Sequence, residues 1–255
     1  MSTRARSYDA RVDARVELSP HLVRLTLAVD PAFESTGVPD EWVGLIVPGQ
    51  FQSRYYTVRS YAAGELVLDV VVHNEGLVTE WVVLDDCVGS TVTLLEPKGS
   101  FAMPAEASWL MLVGDLTAMP AMARIAESVT VPTRIWAEVP DELPGYLPAG
   151  ADVTWLEPPG GGDGSRLAEV VAAIDWPAGH GYFWMAGESS QMRSIRTYLM
   201  RERKLPSASY DVMGYWRAAS ARQPRAVDPG PIWRAGKAAG ETDEQIWQHY
   251  DEARG

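Results

Sequence analysis

From Tyr8 to Glu96 apolar residues alternate with polar ones or gather in short runs: YDARVDARVEL, HLVRLTLAV, GLIVPG, RYYTVRSY, ELVLDVVVH and STVTLLEP. Turn residues such as Pro48-Gly49 and Ala63-Gly64 separate these runs, which predicts an antiparallel sheet or barrel. One helical segment interrupts it. GLVTEWVVL, residues 76–84, carries Thr79, Trp81 and Val82 at the spacing of a short helix. After EPKGSFAMPAEAS the rhythm changes to WLMLVG then TAMPAMARIAESV, TRIWAEV, ADVTWL, RLAEVVAAI, GYFWMAG then SSQMRSIRTYLMRER, and ASYDVMGYW. Continuous apolar strands that alternate with amphipathic helices predict a parallel, doubly wound sheet. The expected fold class is β + α/β: an antiparallel β-barrel over residues 5–105, an α/β domain over 106–218, and a linker with a C-terminal helix over 219–255. That helix, ETDEQIWQHYDEARG, has acids in its first turn and offers Ile246, Trp247 and Tyr250 for packing on the body.

Composition narrows the partners. With 255 residues, 46% hydrophobic and 22% charged, the chain can bury a sizeable core. A formal net charge of −12 disfavours nucleic acid and anionic membranes, which would repel the average surface. The single cysteine, Cys87, can form no internal disulfide and no metal cluster by itself. No apolar run reaches the roughly 20 residues that span a bilayer, and MSTRARSYDARVDARVEL lacks an export core. A cytoplasmic monomer is expected.

The chemistry concentrates at SRYYTVRSY, residues 53–61. On a strand, Arg54, Tyr56 and Val58 face one way and Tyr55, Thr57 and Arg59 the other. A diphosphate suits arginine forks, a planar heterocycle suits a tyrosine face, and Thr57 adds a hydroxyl for a ring nitrogen. The set suits a flavin; it is equally what an exposed strand presents when arginines cover tyrosines. VVHNEGLVTEW adds Gly76, Val78 and Thr79 at the opening of the predicted helix, where free N–H groups favour phosphate. His73, just before, reads either as a structural histidine or as a flavin contact. In the α/β half, Gly114, Asp115 and Thr117 follow the first parallel strand, and Gly187, Glu188 and Ser189 follow a later one. Ligands of open α/β sheets bind at those strand ends. Neither turn contains G-x-G-x-x-G, so the standard dinucleotide fingerprint is absent.

In order, RYYTVR, VVVHNEG…TEW, PKGSF, LVGDLTAMPAMARIAE, FWMAGESSQMRSIRTYL and VMGYWR resemble the siderophore-interacting proteins, the ferric-siderophore reductase branch of the ferredoxin–NADP reductase-like flavoproteins, over roughly residues 5–218. The resemblance implies FAD on the barrel, with Arg54 at the diphosphate, Tyr56 stacked on the isoalloxazine, Tyr55 and Thr57 beside them, and Gly76 and Thr79 at the phosphate-holding turn. It implies NADH, NADPH or ferredoxin as donor near Gly114–Thr117 and Gly187–Ser189, and GYWR, with Trp216, near the open flavin face. Leu116 and Leu77 stand where the family commonly has an acid and a proline, which bears on donor binding. The terminal extension resembles a subgroup that uses NADH or ferredoxin. NADPH would need arginines for its 2′-phosphate, and Arg124, Arg193 and Arg196 are the candidates. The implied reaction passes electrons through FAD to a ferric siderophore and releases ferrous iron, with no acid–base residue and no resident metal. The overall acidity favours a hydroxamate-type chelate over an anionic catecholate, with Lys98, Arg217, Arg234 and Lys237 as candidate contacts. The alternatives are a general flavin or ferredoxin-type reductase on the same fold, or a siderophore-binding protein without turnover.

Overall fold

The computed structural model describes residues 6–73, 77–83, 87–160 and 164–217, together with Ala235 and Ala239. The chain divides between Ala218 and Ala219 into two units, and the architecture that follows is that of the first. The expected C-terminal helix lies outside the described residues.

Strands β1 (Ser7–Ser19), β2 (Leu22–Val29), β3 (Trp42–Ile46), β4 (Arg54–Ala62), β5 (Glu65–Val71) and β6 (Thr91–Leu95) close into an antiparallel barrel of order β1-β2-β5-β4-β3-β6. The alternation along the chain is the cause. Ala10 and Val12, Leu25 and Leu27, Val43 and Leu45, Leu66 and Leu68, and Val92 and Leu94 all turn inward to form one core while the intervening positions face out. A bulge between Val12 and Ala14 bends β1. The predicted helical cap is α1 (Leu77–Val82), whose Val78 and Val82 pack into the barrel core.

The second half is a parallel sheet of order β11-β10-β7-β8-β9, built from β7 (Leu110–Asp115), β8 (Thr133–Glu138), β9 (Asp152–Leu156), β10 (Tyr182–Glu188) and β11 (Tyr210–Trp216). Successive residues of the central strands enter opposite cores. Leu110, Leu112, Tyr182 and Trp184 meet α2 (Met119–Ser128) on one face. Met111, Val113, Phe183 and Met185 lie on the other with α3 (Leu167–Ala173) and α4 (Ser189–Thr197). Two-sided burial is why these strands read as unbroken apolar runs. Among the described residues no helix is long and apolar enough to cross a membrane.

The link between barrel and sheet explains PKGSF. Buried Asp40 accepts hydrogen bonds from the Ser100 and Phe101 N–H groups at 2.8 and 2.9 Å. A Cβ on Gly99 would stand 2.6 Å from Val38 Cβ, so only glycine lets the link close on the loop before β3. Side chains also tie the halves together. Arg24 forks onto buried Asp69 at 2.7 and 2.8 Å, and the Tyr146 hydroxyl, from the β8–β9 loop, donates to the same carboxylate. The Arg24 and Arg59 guanidiniums lie 5.8 and 5.5 Å from the Tyr146 ring centre.

Candidate functional site

β4 is the seam. Its pairing with β3 sets Arg54 opposite Leu45 and Tyr56 opposite Val43, with Tyr55 opposite Gly44 and Thr57 opposite Trp42. The predicted two-sided division therefore holds from Arg54 to Val58: Val58 and part of Tyr56 meet the barrel core. A register shift against β5 follows between Val58 and Ser60. The strand is held to α2 by the Arg124 guanidinium, which donates to the Val58 carbonyl at 2.9 Å.

The two arginines of SRYYTVRSY have different fates. Arg59 makes a two-pronged pair with Glu127 of α2 at 2.9 and 2.6 Å, so it belongs to the junction. Arg54 is exposed and reaches only the Gln52 side chain at 3.4 Å and the Ser53 carbonyl at 3.2 Å; among the described residues it pairs with no carboxylate. Its charge acts on Tyr56, whose hydroxyl burial pushes up to about 12 while Arg54 pulls it the other way. Tyr55 is 66% exposed. Thr57 is buried, and among the described residues its Oγ1 completes no hydrogen bond of good geometry.

The Thr57 hydroxyl faces Tyr215 of β11, whose own buried hydroxyl also completes no hydrogen bond. Burial raises Tyr215 above the ordinary tyrosine range, and the nearby Thr57 hydroxyl counters part of that shift. Tyr215 was not singled out in the sequence; its signals were its place in the apolar terminal strand and in the GYWR segment. Two buried hydroxyls whose main polar neighbour among the described residues is each other, beside an exposed arginine and a half-buried tyrosine ring, form a set of groups suited to a ligand.

The predicted phosphate turn is described only in part. Gly76 lies outside the described residues. Val78 points its side chain into the barrel core, leaving only its backbone N–H for a ligand. Thr79 is buried, and its Oγ1 lies 2.9 Å from His73 Nδ1, so the two residues hold each other.

The strand-end candidates of the α/β half converge on one patch. Asp115 Oδ1 accepts the Thr117 N–H at 2.9 Å and its hydroxyl at 2.5 Å, while Oδ2 accepts the Trp216 indole N–H at 2.6 Å. Glu188 accepts the Ser190 N–H at 2.8 Å and caps α4, and the Ser189 hydroxyl donates to the Trp216 carbonyl at 2.6 Å. The glycines are required by packing: a Cβ on Gly114 would stand 2.5 Å from Ala118 Cβ, and one on Gly187 2.6 Å from Asp115 Oδ2. Burial raises the Asp115 pKa, with the Glu138 charge adding to it and the Thr117 and Trp216 hydrogen bonds opposing it. Among the described residues no cluster of histidine, cysteine or acidic side chains could hold a metal ion.

A family model described as siderophore-interacting protein matches residues 107–219. An uncharacterized protein of Mycobacterium tuberculosis is 30% identical over 183 residues, 64% of each chain. The ferric vibriobactin reductase ViuB of Vibrio cholerae is 28% identical over 173 residues, again 64% of each chain. Over residues 107–219 the chain is similar to the siderophore-interacting proteins. The matches thus span just under two thirds of the length of these curated relatives. The fold is that of the siderophore-interacting protein from Acinetobacter baumannii, at a TM-score of 0.75 and 20% identity over 98% of each chain. It is also that of a ferredoxin reductase of carbazole 1,9a-dioxygenase solved in its FAD apo form, at a TM-score of 0.64 and 16% identity over 84% of this chain and 67% of that one.

The arginines considered for a donor's 2′-phosphate are partly engaged. Arg124 is held by the Val58 carbonyl and lies 3.8 Å from Glu41, and Arg196 donates to the Val212 carbonyl. Arg193 is exposed on α4, and Lys98 and Arg217 are exposed at the edges of the site region. Arg234 and Lys237 lie outside the described residues.

Proposed function

We propose that this chain is an FAD-dependent reductase that carries electrons from NADH, with NADPH or ferredoxin as the other candidate donors, to a ferric siderophore and releases ferrous iron. The observation that carries the proposal is the Thr57 hydroxyl, buried with no well-formed hydrogen bond among the described residues, on the same strand as an exposed Arg54 that there pairs with no carboxylate. Those residues fit FAD. Arg54 would fork onto the diphosphate, Tyr56 would lie along the ring system, and Thr57 would hydrogen-bond the ring edge. The flavin supplies the ability to take two electrons from a nicotinamide and release them singly to iron.

The protein's own part is positional. The barrel core behind Tyr56 keeps water from that side, and the Arg59–Glu127 pair with the Arg124–Val58 bond fixes β4 against α2. Tyr215 and Trp216 bring the end of β11 to the same seam, with Trp216 oriented by Asp115. Reduction weakens the hold of hard oxygen donors on iron, so no acid–base group is needed for release.

The test is the visible spectrum of the purified protein before and after anaerobic NADH, then after a ferric hydroxamate chelate with a ferrous trap present. Bleaching of a flavin band by NADH, its return with the chelate, and trapped ferrous iron are the expected results. A protein that binds no flavin would overturn the proposal.

Thr57→Val makes a sharper separation of fold from function. The substitution keeps the shape and removes a hydroxyl that completes no hydrogen bond of good geometry among the described residues, so the stability of the flavin-free chain is expected to change by less than about 1 kcal/mol. Flavin affinity is expected to fall by about fivefold, the loss of roughly 1 kcal/mol for one hydrogen bond. Titration of flavin-free protein with FAD checks it; unchanged affinity would place the hydroxyl away from the cofactor.

A further inference from the structure

The sheet order β11-β10-β7-β8-β9 reverses direction between β7 and β10, and the crevice at such a switch point is where doubly wound sheets receive a nucleotide, its phosphates against the helix start after the first strand. Here that place is taken by a carboxyl group of the protein. Asp115 ends β7, and its carboxylate collects the Thr117 N–H, the Thr117 hydroxyl and the Trp216 indole N–H, the kinds of donor a bound phosphate would use. The same oxygen that holds Trp216 would lie 2.6 Å from a Cβ on Gly187, so the carboxylate is pressed against β10 across the switch point.

The neighbouring strand ends repeat the device. Glu138, paired with Asp115 across β7 and β8, accepts the Arg166 N–H at 2.9 Å, and Glu188 at the end of β10 accepts the Ser190 N–H at 2.8 Å. All three carboxylates are buried. The turns after β7 and β10 and the start of α3 thus each have an N–H answered by a carboxyl oxygen of the protein, which is the kind of oxygen acceptor a pyrophosphate would offer.

We propose that Asp115 is a specificity-determining residue that disfavours the pyrophosphate of a dinucleotide donor at the switch point by occupying its anion position. The proposal rests on the reading above that a donor nucleotide docks against this edge. A side chain that reaches only one of these donors leaves the Trp216 indole N–H to a phosphate and takes away the carboxyl oxygen that competes for the position.

The experiment is calorimetric titration of the FAD-saturated protein with ADP, which carries the pyrophosphate but no redox group. Asp115→Asn and Asp115→Ser are compared with wild type, the serine variant keeping a side chain able to cap the turn. Thr117→Val, which removes one hydrogen bond but keeps the carboxyl group, is the control. ADP binding about tenfold tighter in either Asp115 variant, and no tighter in Thr117→Val, is the expected result. Unchanged or weaker binding in both folded Asp115 variants, or equal tightening in Thr117→Val, would overturn it. Electron transfer from the photochemically reduced protein to a ferric chelate, read on the same samples, needs no nucleotide. Its failure would count against the reductase reading, while the ADP titration would still decide the role of Asp115.

Discussion

Replacing Asp69 with alanine is expected to lower the unfolding free energy by about 3–5 kcal/mol, the range found when one member of a buried ion pair is removed. The Asp69 side chain is fully buried and Arg24 is 32% exposed, so water can recover only part of the stranded guanidinium. Tyr146 loses more completely. Its hydroxyl donates to Asp69, and burial together with that carboxylate keeps it protonated well above the ordinary tyrosine range. Without Asp69 it becomes a buried donor with nowhere to donate. For a chain of this size, a loss of that order corresponds to roughly 10 °C in melting temperature. Urea and thermal denaturation measure it, and a loss under about 1 kcal/mol would mean that the network is solvated enough to behave like a surface pair. Tyr146→Phe supplies a cycle: in its background Asp69→Ala is expected to cost about 1 kcal/mol less, because no hydroxyl is left unsatisfied. The exposed Arg11–Asp13 pair, 65% and 40% exposed, is the contrasting case in which little change is expected.

Asp69 also shows where sequence reasoning ends. In ELVLDVVV it is one polar residue in an apolar run, and nothing nearby announces that Arg24 and Tyr146, 45 residues before and 77 after, will meet it. The barrel and the sheet were legible because each follows from a local period: two for the half-buried strands of the barrel, unbroken apolar runs for strands buried on both faces. The strand-end residues Asp115, Gly187, Glu188 and Ser189 were legible as a group because strand ends are where such sheets place polar chemistry, while Trp216 entered only through the resemblance carried by GYWR. Their packing was not: Gly114 lies against Ala118 and Gly187 against Asp115. Nor was it legible that the Val78 side chain joins the barrel core and the Thr79 hydroxyl meets His73, while the backbone of the predicted phosphate turn is left to a ligand. Tertiary contacts decided each of these, and no window of sequence contains them.

The same limit separates Arg54 from Arg59, and it yields the largest functional effect. Arg54→Ala is expected to weaken FAD binding by about 100-fold, the equivalent of roughly 3 kcal/mol for a charge-assisted contact to a diphosphate. The free protein should hardly notice. Arg54 is exposed and pairs with no carboxylate among the described residues, so the melting temperature of the flavin-free variant is expected to stay within about 1–2 °C of wild type, as for an ordinary surface substitution. Arg59→Ala should behave in the opposite way, because it breaks the two-pronged contact to Glu127 and leaves Tyr146 with one arginine over its ring. Stability should fall there, while intrinsic FAD affinity, measured at a temperature where the variant is folded, should change little. Arg54→Lys should lie between wild type and alanine, since lysine keeps the charge but loses the planar fork. Flavin titrations and melting curves on the three variants check the pattern. If Arg54→Ala binds FAD as wild type does, the diphosphate is held elsewhere, and the buried hydroxyls of Thr57 and Tyr215 need another ligand to answer them.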